Sequence, residues 1–246
     1  MLGIGGGVLF VPTLYYFLPY VGVRQSIIPY LAISISLFAG SIAASFSGVL
    51  HLKIKNVDKR KAFLFAFGSS ISAFISATIV TSIQPGILKG IFAAVLFVIA
   101  ASIFFDTQVE SKSIRTKPLN DYLLPIMGLF VGILSAFTGL GGGIIFFPVL
   151  HYLYLLNPKN AIGTSSVITA ITMLSASIAF FIYRSEWLHS SFLDTTFIVV
   201  AVPLGIGALI GARFGVGFIN RMQNVLVKKI FAVLLIIVVI KIIFDL

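Results

Sequence analysis

The chain has 246 residues, 59% of them hydrophobic and 10% charged, with a net charge of +10 and a mean hydropathy of +1.13. An ordinary globular domain is about a quarter charged, so this composition excludes a water-soluble protein and reads as a polytopic membrane protein solvated by lipid. The lack of cysteine excludes disulfides, thiolate metal sites and cysteine nucleophiles, and in a membrane chain the basic excess reads as loop bias rather than nucleic-acid binding.

Uncharged apolar runs follow one another at 8–18, 27–50, 62–83, 90–105, 122–138, 144–156, 161–183, 195–212 and 230–240. A membrane core about 30 Å thick takes roughly 20 helical residues per crossing, so these runs predict an all-α fold of about eight or nine hydrophobic segments. Runs 8–18 and 144–156 are too short to cross comfortably and carry Pro12 and Pro148 near their starts; they read as half-helices. Twelve of the 17 basic residues fall in three of the intervening stretches. The positive-inside rule therefore puts loops 51–61, 107–121 and 213–229 in the cytoplasm of a cell-membrane protein, and the loops around Lys89 and Arg184 outside.

The strongest signal is an internal repeat. Gly3-Ile4-Gly5-Gly6-Gly7-Val8-Leu9-Phe10-Val11-Pro12 recurs 136 residues later as Gly139-Leu140-Gly141-Gly142-Gly143-Ile144-Ile145-Phe146-Phe147-Pro148, and extending the register to Tyr16 and Tyr152 gives 8 identities in 14 positions. More weakly, Ser72 and Ser76 match Gly207 and Gly211. Equivalent loops of the two halves differ in charge: the basic stretch 53–61 corresponds to the nearly neutral 184–194, and the neutral 84–86 to the basic 213–229. This pattern predicts two inverted-topology repeats, an architecture of secondary transporters that hold substrate near the midplane. The first repeat spans 1–106, a cytoplasmic linker 107–121, and the second repeat 122–246. The run 122–138 precedes the second glycine motif while only two residues precede the first, so the expectation is a further helix of about 20 to 30 residues upstream of Met1.

Three glycines in a row weaken a helix by about 1 kcal/mol each relative to alanine, and unpaired backbone in lipid costs more, so such a break belongs in a protein-lined or wet cavity. Each motif is expected to open a helix whose first N–H groups have no intrahelical acceptor, and such an end attracts anions. The candidate substrate-binding residues are Gly3, Gly5, Gly6, Gly7 and Pro12, with Gly139, Gly141, Gly142, Gly143 and Pro148. The alternative is that the glycines only allow close helix packing, as Gly128-x-x-x-Gly132 and Gly207-x-x-x-Gly211 are expected to do.

Gly163, Thr164 and Ser165 open the run after the second motif and offer hydroxyl donors there, or an ordinary N-cap. The first half has Ile28-Pro29-Tyr30 instead, so that contribution is one-sided unless Tyr30 supplies it. His151, the register equivalent of Tyr15, is the one ionisable residue besides tyrosines well inside an apolar run; it reads either as a site residue or as a hydrogen-bonded neutral histidine. His51 and His189 read as solvated loop residues. All seven acidic residues lie in loops or at run ends, which argues against a carboxylate proton relay. There is no Walker lysine motif, no H-E-x-x-H and no G-x-S-x-G, so the chain is not read as an enzyme, and nothing implies a cofactor or metal.

The doubled glycine motif, the Ala161-Ile162-Gly163-Thr164-Ser165-Ser166 stretch and the Lys55-Asn56-Val57-Asp58-Lys59-Arg60 loop resemble the TauE/SafE family of membrane permeases, known as sulfite exporters. The resemblance covers nearly the whole chain and implies transport of a small sulfur-containing anion such as sulfite, a sulfonate or sulfoacetate, with the glycines, prolines and Gly163-Thr164-Ser165 at the site. With the cell interior negative, moving one negative charge outward gains about 2.3 kcal/mol per 100 mV, so an anion exporter needs no coupled ion or ATP. The expected partners are a small anionic substrate and the lipid bilayer, without nucleic acid. The sequence carries no signal for an oligomeric state. An anion channel with the same site, or a non-transporting scaffold, are the alternatives.

Overall fold

The computed structural model describes residues 7–105, 118–183 and 191–219. These form α1 (Gly7–Phe17, then a 3-10 turn Leu18–Val21), α2 (Ile28–Lys53), α3 (Lys59–Val80), α4 (Pro85–Phe105), α5 (Leu124–Thr138, entered through a 3-10 turn Asp121–Leu123), α6 (Gly143–Pro148, continued by a π-helical turn Val149–Leu153), α7 (Pro158–Ile182) and α8 (Ser191–Ile219). No strand occurs among the described residues. Four helical stretches are long and apolar enough to cross a membrane: Ile28–Lys53, Lys59–Val80, Asp121–Thr138 and Pro158–Ile182. The chain is a multi-pass membrane protein. The run 230–240, the linker up to residue 117 and most of 213–229 lie outside the described residues.

The long helices turn the soluble pattern inside out. On α3, Phe63, Phe67, Ile71, Ile75 and Ile79 are exposed at every fourth position, while Gly68, Ser69, Ser72 and Ser76 are buried. Large apolar side chains face lipid, and small or hydroxylated ones face protein, because lipid rewards no apolar burial and association depends on close backbone packing. α5 completes that seam. A Cβ on Gly132 would overlap the Ser72 hydroxyl and the Ser69 carbonyl oxygen, and one on Gly68 the Pro125 carbonyl oxygen. α2 packs on α7, α3 on α7 and α8 on α2 to make the centre of the bundle.

The second pair expected to pack by small residues differs. Gly207 and Gly211 are exposed on α8, with no described residue within 4 Å of a Cβ placed there. Small-residue spacing permits close approach without specifying a partner.

α3 and α7 start about a turn before their apolar runs because polar caps belong to the helices. Asp58 caps α3, accepting from the Lys61 amide at 3.1 Å, and Lys61 Nζ reaches Asp58 at 3.2 Å and Asp121 at 3.5 Å, with Arg60 Nε 3.5 Å from Asp121. Asn157 caps α7, accepting from the Asn160 amide at 2.8 Å with Pro158 at the first helical position. Thr164 and Ser165 therefore lie in the second turn of α7 and do not cap it.

α5 and α6 form a helical hairpin closed at its base. The Leu119 amide donates to the Leu153 carbonyl at 3.1 Å, and the Tyr154 hydroxyl donates to the Asn120 carbonyl at 3.2 Å. Burial, then the nearby Asp121 charge, push the Tyr154 phenol above its ordinary pKa, so it keeps the proton it donates. The chain thus reaches the interior along α5, turns at the second glycine motif and returns to the end it started from.

Candidate functional site

The tip of the hairpin is built from left-handed backbone. Gly139 ends α5 at φ +69°, Gly141 follows at +76°, and Gly142 caps α6 at +70°. A residue with a Cβ costs roughly 1–2 kcal/mol in that region, which is why glycine recurs. Space is equally short: a Cβ on Gly142 would lie 2.8 Å from the Phe146 ring and 2.9 Å from Val131, and one on Gly141 would run into the Met173 thioether. Hydroxyls pin the loop from outside. Ser36 Oγ on α2 donates to the Gly139 carbonyl at 2.8 Å, and Thr138 Oγ1 accepts from the Leu140 amide at 3.3 Å. Gly142 O accepts the Ile145 and Phe146 amides at 2.9 Å, so the amides before them start α6 with no intrahelical acceptor.

Gly3, Gly5 and Gly6 of the first motif lie outside the described residues. Gly7 opens α1, and a Cβ on it would stand 2.6 Å from the Gly139 carbonyl oxygen and 2.8 Å from Leu140 Cα. Two stretches 136 residues apart in sequence are in backbone contact. The prolines act differently. Pro12 lies within α1, whereas Pro148, which has no N–H to continue the ladder, closes the α-helical part of α6 and is followed by the π turn.

The remaining sequence candidates are elsewhere. Gly163 lies against the Asn56 carbonyl, and Thr164 Oγ1 accepts the Asp58 amide at 3.0 Å, clamping α7 onto the α2–α3 loop. Ser165 Oγ donates to the Ile162 carbonyl at 2.9 Å. Met173, which touches the glycine loop, is nine residues beyond Thr164 on α7, about 14 Å at the helical rise. Thr164→Val is expected to lower stability by about 1 kcal/mol, the value of one lost hydrogen bond, read as a lower melting midpoint in detergent.

His151 is at the hairpin base, half-buried and stacked on Phe147, with Nδ1 2.8 Å from the Leu156 carbonyl. Tyr15 instead stacks on Phe92, and the Tyr30 hydroxyl donates to the Ile83 carbonyl at 2.6 Å, away from the glycine loop. His51 belongs to the last turn of α2, not to a loop; its Nδ1 is buried and has no partner among the described residues. His189 lies outside them. An apolar cleft of about 590 Å³ between α1 and α8, lined by Leu14, Phe17, Val199 and Pro203 among others, carries no charged residue and does not include the glycine loop.

Sequence reasoning missed a set of interior hydroxyls. Ser69 and Thr172 join α3 to α7 at 2.7 Å, and Ser175 Oγ donates to the Ser70 carbonyl at 2.8 Å. Ser135, Thr169 and Ser177 are buried, yet their hydroxyls have no hydrogen-bond partner among the described residues. An orphaned buried hydroxyl costs about 1–3 kcal/mol, so such groups call for an explanation. The available signal was the recurrence of Ser and Thr on α7 at 165, 169 and 172, a helical stripe inside an apolar run.

The family model described as "Sulfite exporter TauE/SafE" matches residues 1–242. The chain is similar to the probable membrane transporter protein YunE of Bacillus subtilis, 24% identical over 100% of this chain and 92% of that protein. It is likewise similar to a probable membrane transporter protein of Haemophilus influenzae, 28% identical over 97% of this chain and 90% of that one. The probable membrane transporter protein MJ0441 of Methanocaldococcus jannaschii is 29% identical over 76% of this chain and 68% of its own length. No solved structure matches the chain. A glycine-broken helical hairpin whose tip meets a second copy of its own motif, in a chain matched end to end by that model, belongs to the TauE/SafE sulfite exporter family of membrane transporters.

Proposed function

We propose that this transporter exports a small sulfur-containing oxyanion of the sulfite, sulfonate or sulfoacetate type, and that its site is the junction where Gly7 meets Gly139 and Leu140. The backbone contact between the two motifs carries the reading. It sets the first turn of α1 against the loop that leads into α6, whose first amides have no intrahelical acceptor and suit an anion. The packing supports two related halves: α1 lies on α2 as α6 lies on α7, and α8 lies on α2 as α3 lies on α7. With the basic stretch 53–61 in the cytoplasm, those halves are inverted repeats in the cell membrane, and rocking one against the other exposes the junction to each side in turn.

The test is sulfite efflux from liposomes carrying the purified protein, with an inside-negative potential switched on or off. The expected result is saturable efflux that the potential accelerates. Flux that never saturates and runs at channel rates would replace alternating access by a pore. A rate equal to that of protein-free liposomes, for sulfite and for a panel of sulfonates, would overturn the reading.

A further inference from the structure

Resting on that reading, the interior hydroxyls identify what holds the anion. A serine or threonine inside a helix ordinarily donates back to a carbonyl three or four residues earlier, and most interior hydroxyls here do so. Ser72 donates to Ser69 O at 3.3 Å, Thr138 to Leu134 O at 2.6 Å and Thr172 to Ile168 O at 2.9 Å. Ser135 and Thr169 do not, although they are only 1% and 0% exposed.

Both lie one helical turn from the glycine loop or a residue packed on it, one on each helix that supports it. Ser135 is one turn before Gly139 on α5, and its own carbonyl accepts the Gly139 amide at 2.9 Å. Thr169 is one turn before Met173 on α7, whose thioether occupies the place a Cβ on Gly141 would need. Between the two helices, Gly132 abuts Ser69, and Ser69 bonds Thr172 at 2.7 Å. Ser36, Thr138 and Thr172 are engaged, whereas these two, like Ser177 one turn beyond Met173, have no partner among the described residues.

We propose that the Ser135 and Thr169 hydroxyls are substrate ligands, donating to the oxygens of a monoanionic oxyanion, a sulfonate or hydrogensulfite, lodged beside the Gly139–Gly143 loop. Donors of this kind are neutral. Arg60 and Lys61, at the start of α3, are engaged with Asp58 and Asp121 at the far end of the hairpin. Neutral donors in a low-dielectric interior can replace the hydration of a single charge far more readily than that of a dianion, because desolvation rises steeply with charge.

Wild type, Ser135→Ala, Thr169→Val and the double variant are to be compared for sulfite efflux from proteoliposomes, with methanesulfonate and sulfate as competitors and thermal melting measured in parallel. The expected result is a KM raised about tenfold in each single variant, with the melting midpoint unchanged or higher because an orphaned hydroxyl has been removed. Ser135→Thr and Thr169→Ser should restore a near-normal KM, and methanesulfonate should compete where sulfate does not. Wild-type efflux with unaltered KM in both variants, or equal competition by sulfate, would overturn this assignment and leave the exporter reading standing. Absence of wild-type efflux would overturn both.

Discussion

Replacing Gly142 by leucine is expected to abolish sulfite efflux, a loss of at least about a hundredfold, while the protein still inserts and purifies. Two effects add. The left-handed backbone at φ +70° disfavours any side chain by roughly 1–2 kcal/mol, and overpacking a filled site costs a further 1–3 kcal/mol or so. A Cβ at Gly142 meets the Phe146 ring at 2.8 Å and Val131 at 2.9 Å, so α6 must shift relative to α5. That shift moves the first turn of α6 relative to Gly7, and a misplacement of about 1 Å is enough to cost a hundredfold where positioning governs turnover. Flux measured beside protein-free liposomes checks it, with Gly142→Ala expected to fall in between. Undiminished efflux from the leucine variant would remove the hairpin tip from the transport pathway.

The largest stability effect is expected at the α3–α5 seam. In Gly132→Leu the new Cβ would overlap the Ser72 hydroxyl and the backbone oxygen of Ser69, and neither helix can yield without opening the seam along its length. A loss of about 3 kcal/mol or more follows from overpacking against backbone, and it should appear as a strongly lowered melting midpoint or as aggregation in detergent. Gly207→Leu is the matched control. It has the same small-xxx-small spacing in sequence, but its position on α8 is exposed, with no described residue within 4 Å of the new Cβ, so the midpoint should hold. Equal damage from both would show that the glycines act through helix propensity rather than through the seam.

Much of the helical architecture was legible because lipid makes composition decisive. Unbroken apolar runs have to be helical where no water pairs the backbone, and the short runs at 8–18 and 144–156 did become the short helices Gly7–Val21 and Gly143–Leu153. The boundaries were less legible, since Asp58 and Asn157 start helices from polar residues that a hydropathy run leaves out. The candidate site was legible in part. Repetition exposed the glycine motifs, because only a backbone constraint keeps glycine at the same spacing twice.

What the sequence by itself determined is the solvent, the helical content and the glycine break between α5 and α6, all consequences of local composition and of backbone pairing in lipid. Only the tertiary structure decided which candidates stand together. It put Gly7 on Gly139 and Leu140 across 132 and 133 residues, sent Thr164 to the α2–α3 loop and His151 to the hairpin base, and left Ser135 and Thr169 without partners among the described residues. A one-dimensional pattern states what each residue can offer. Which of its offers is already taken depends on neighbours that are distant in the chain, and a hydroxyl that looks like any other in sequence becomes a ligand candidate only when the fold buries it and leaves it without a partner.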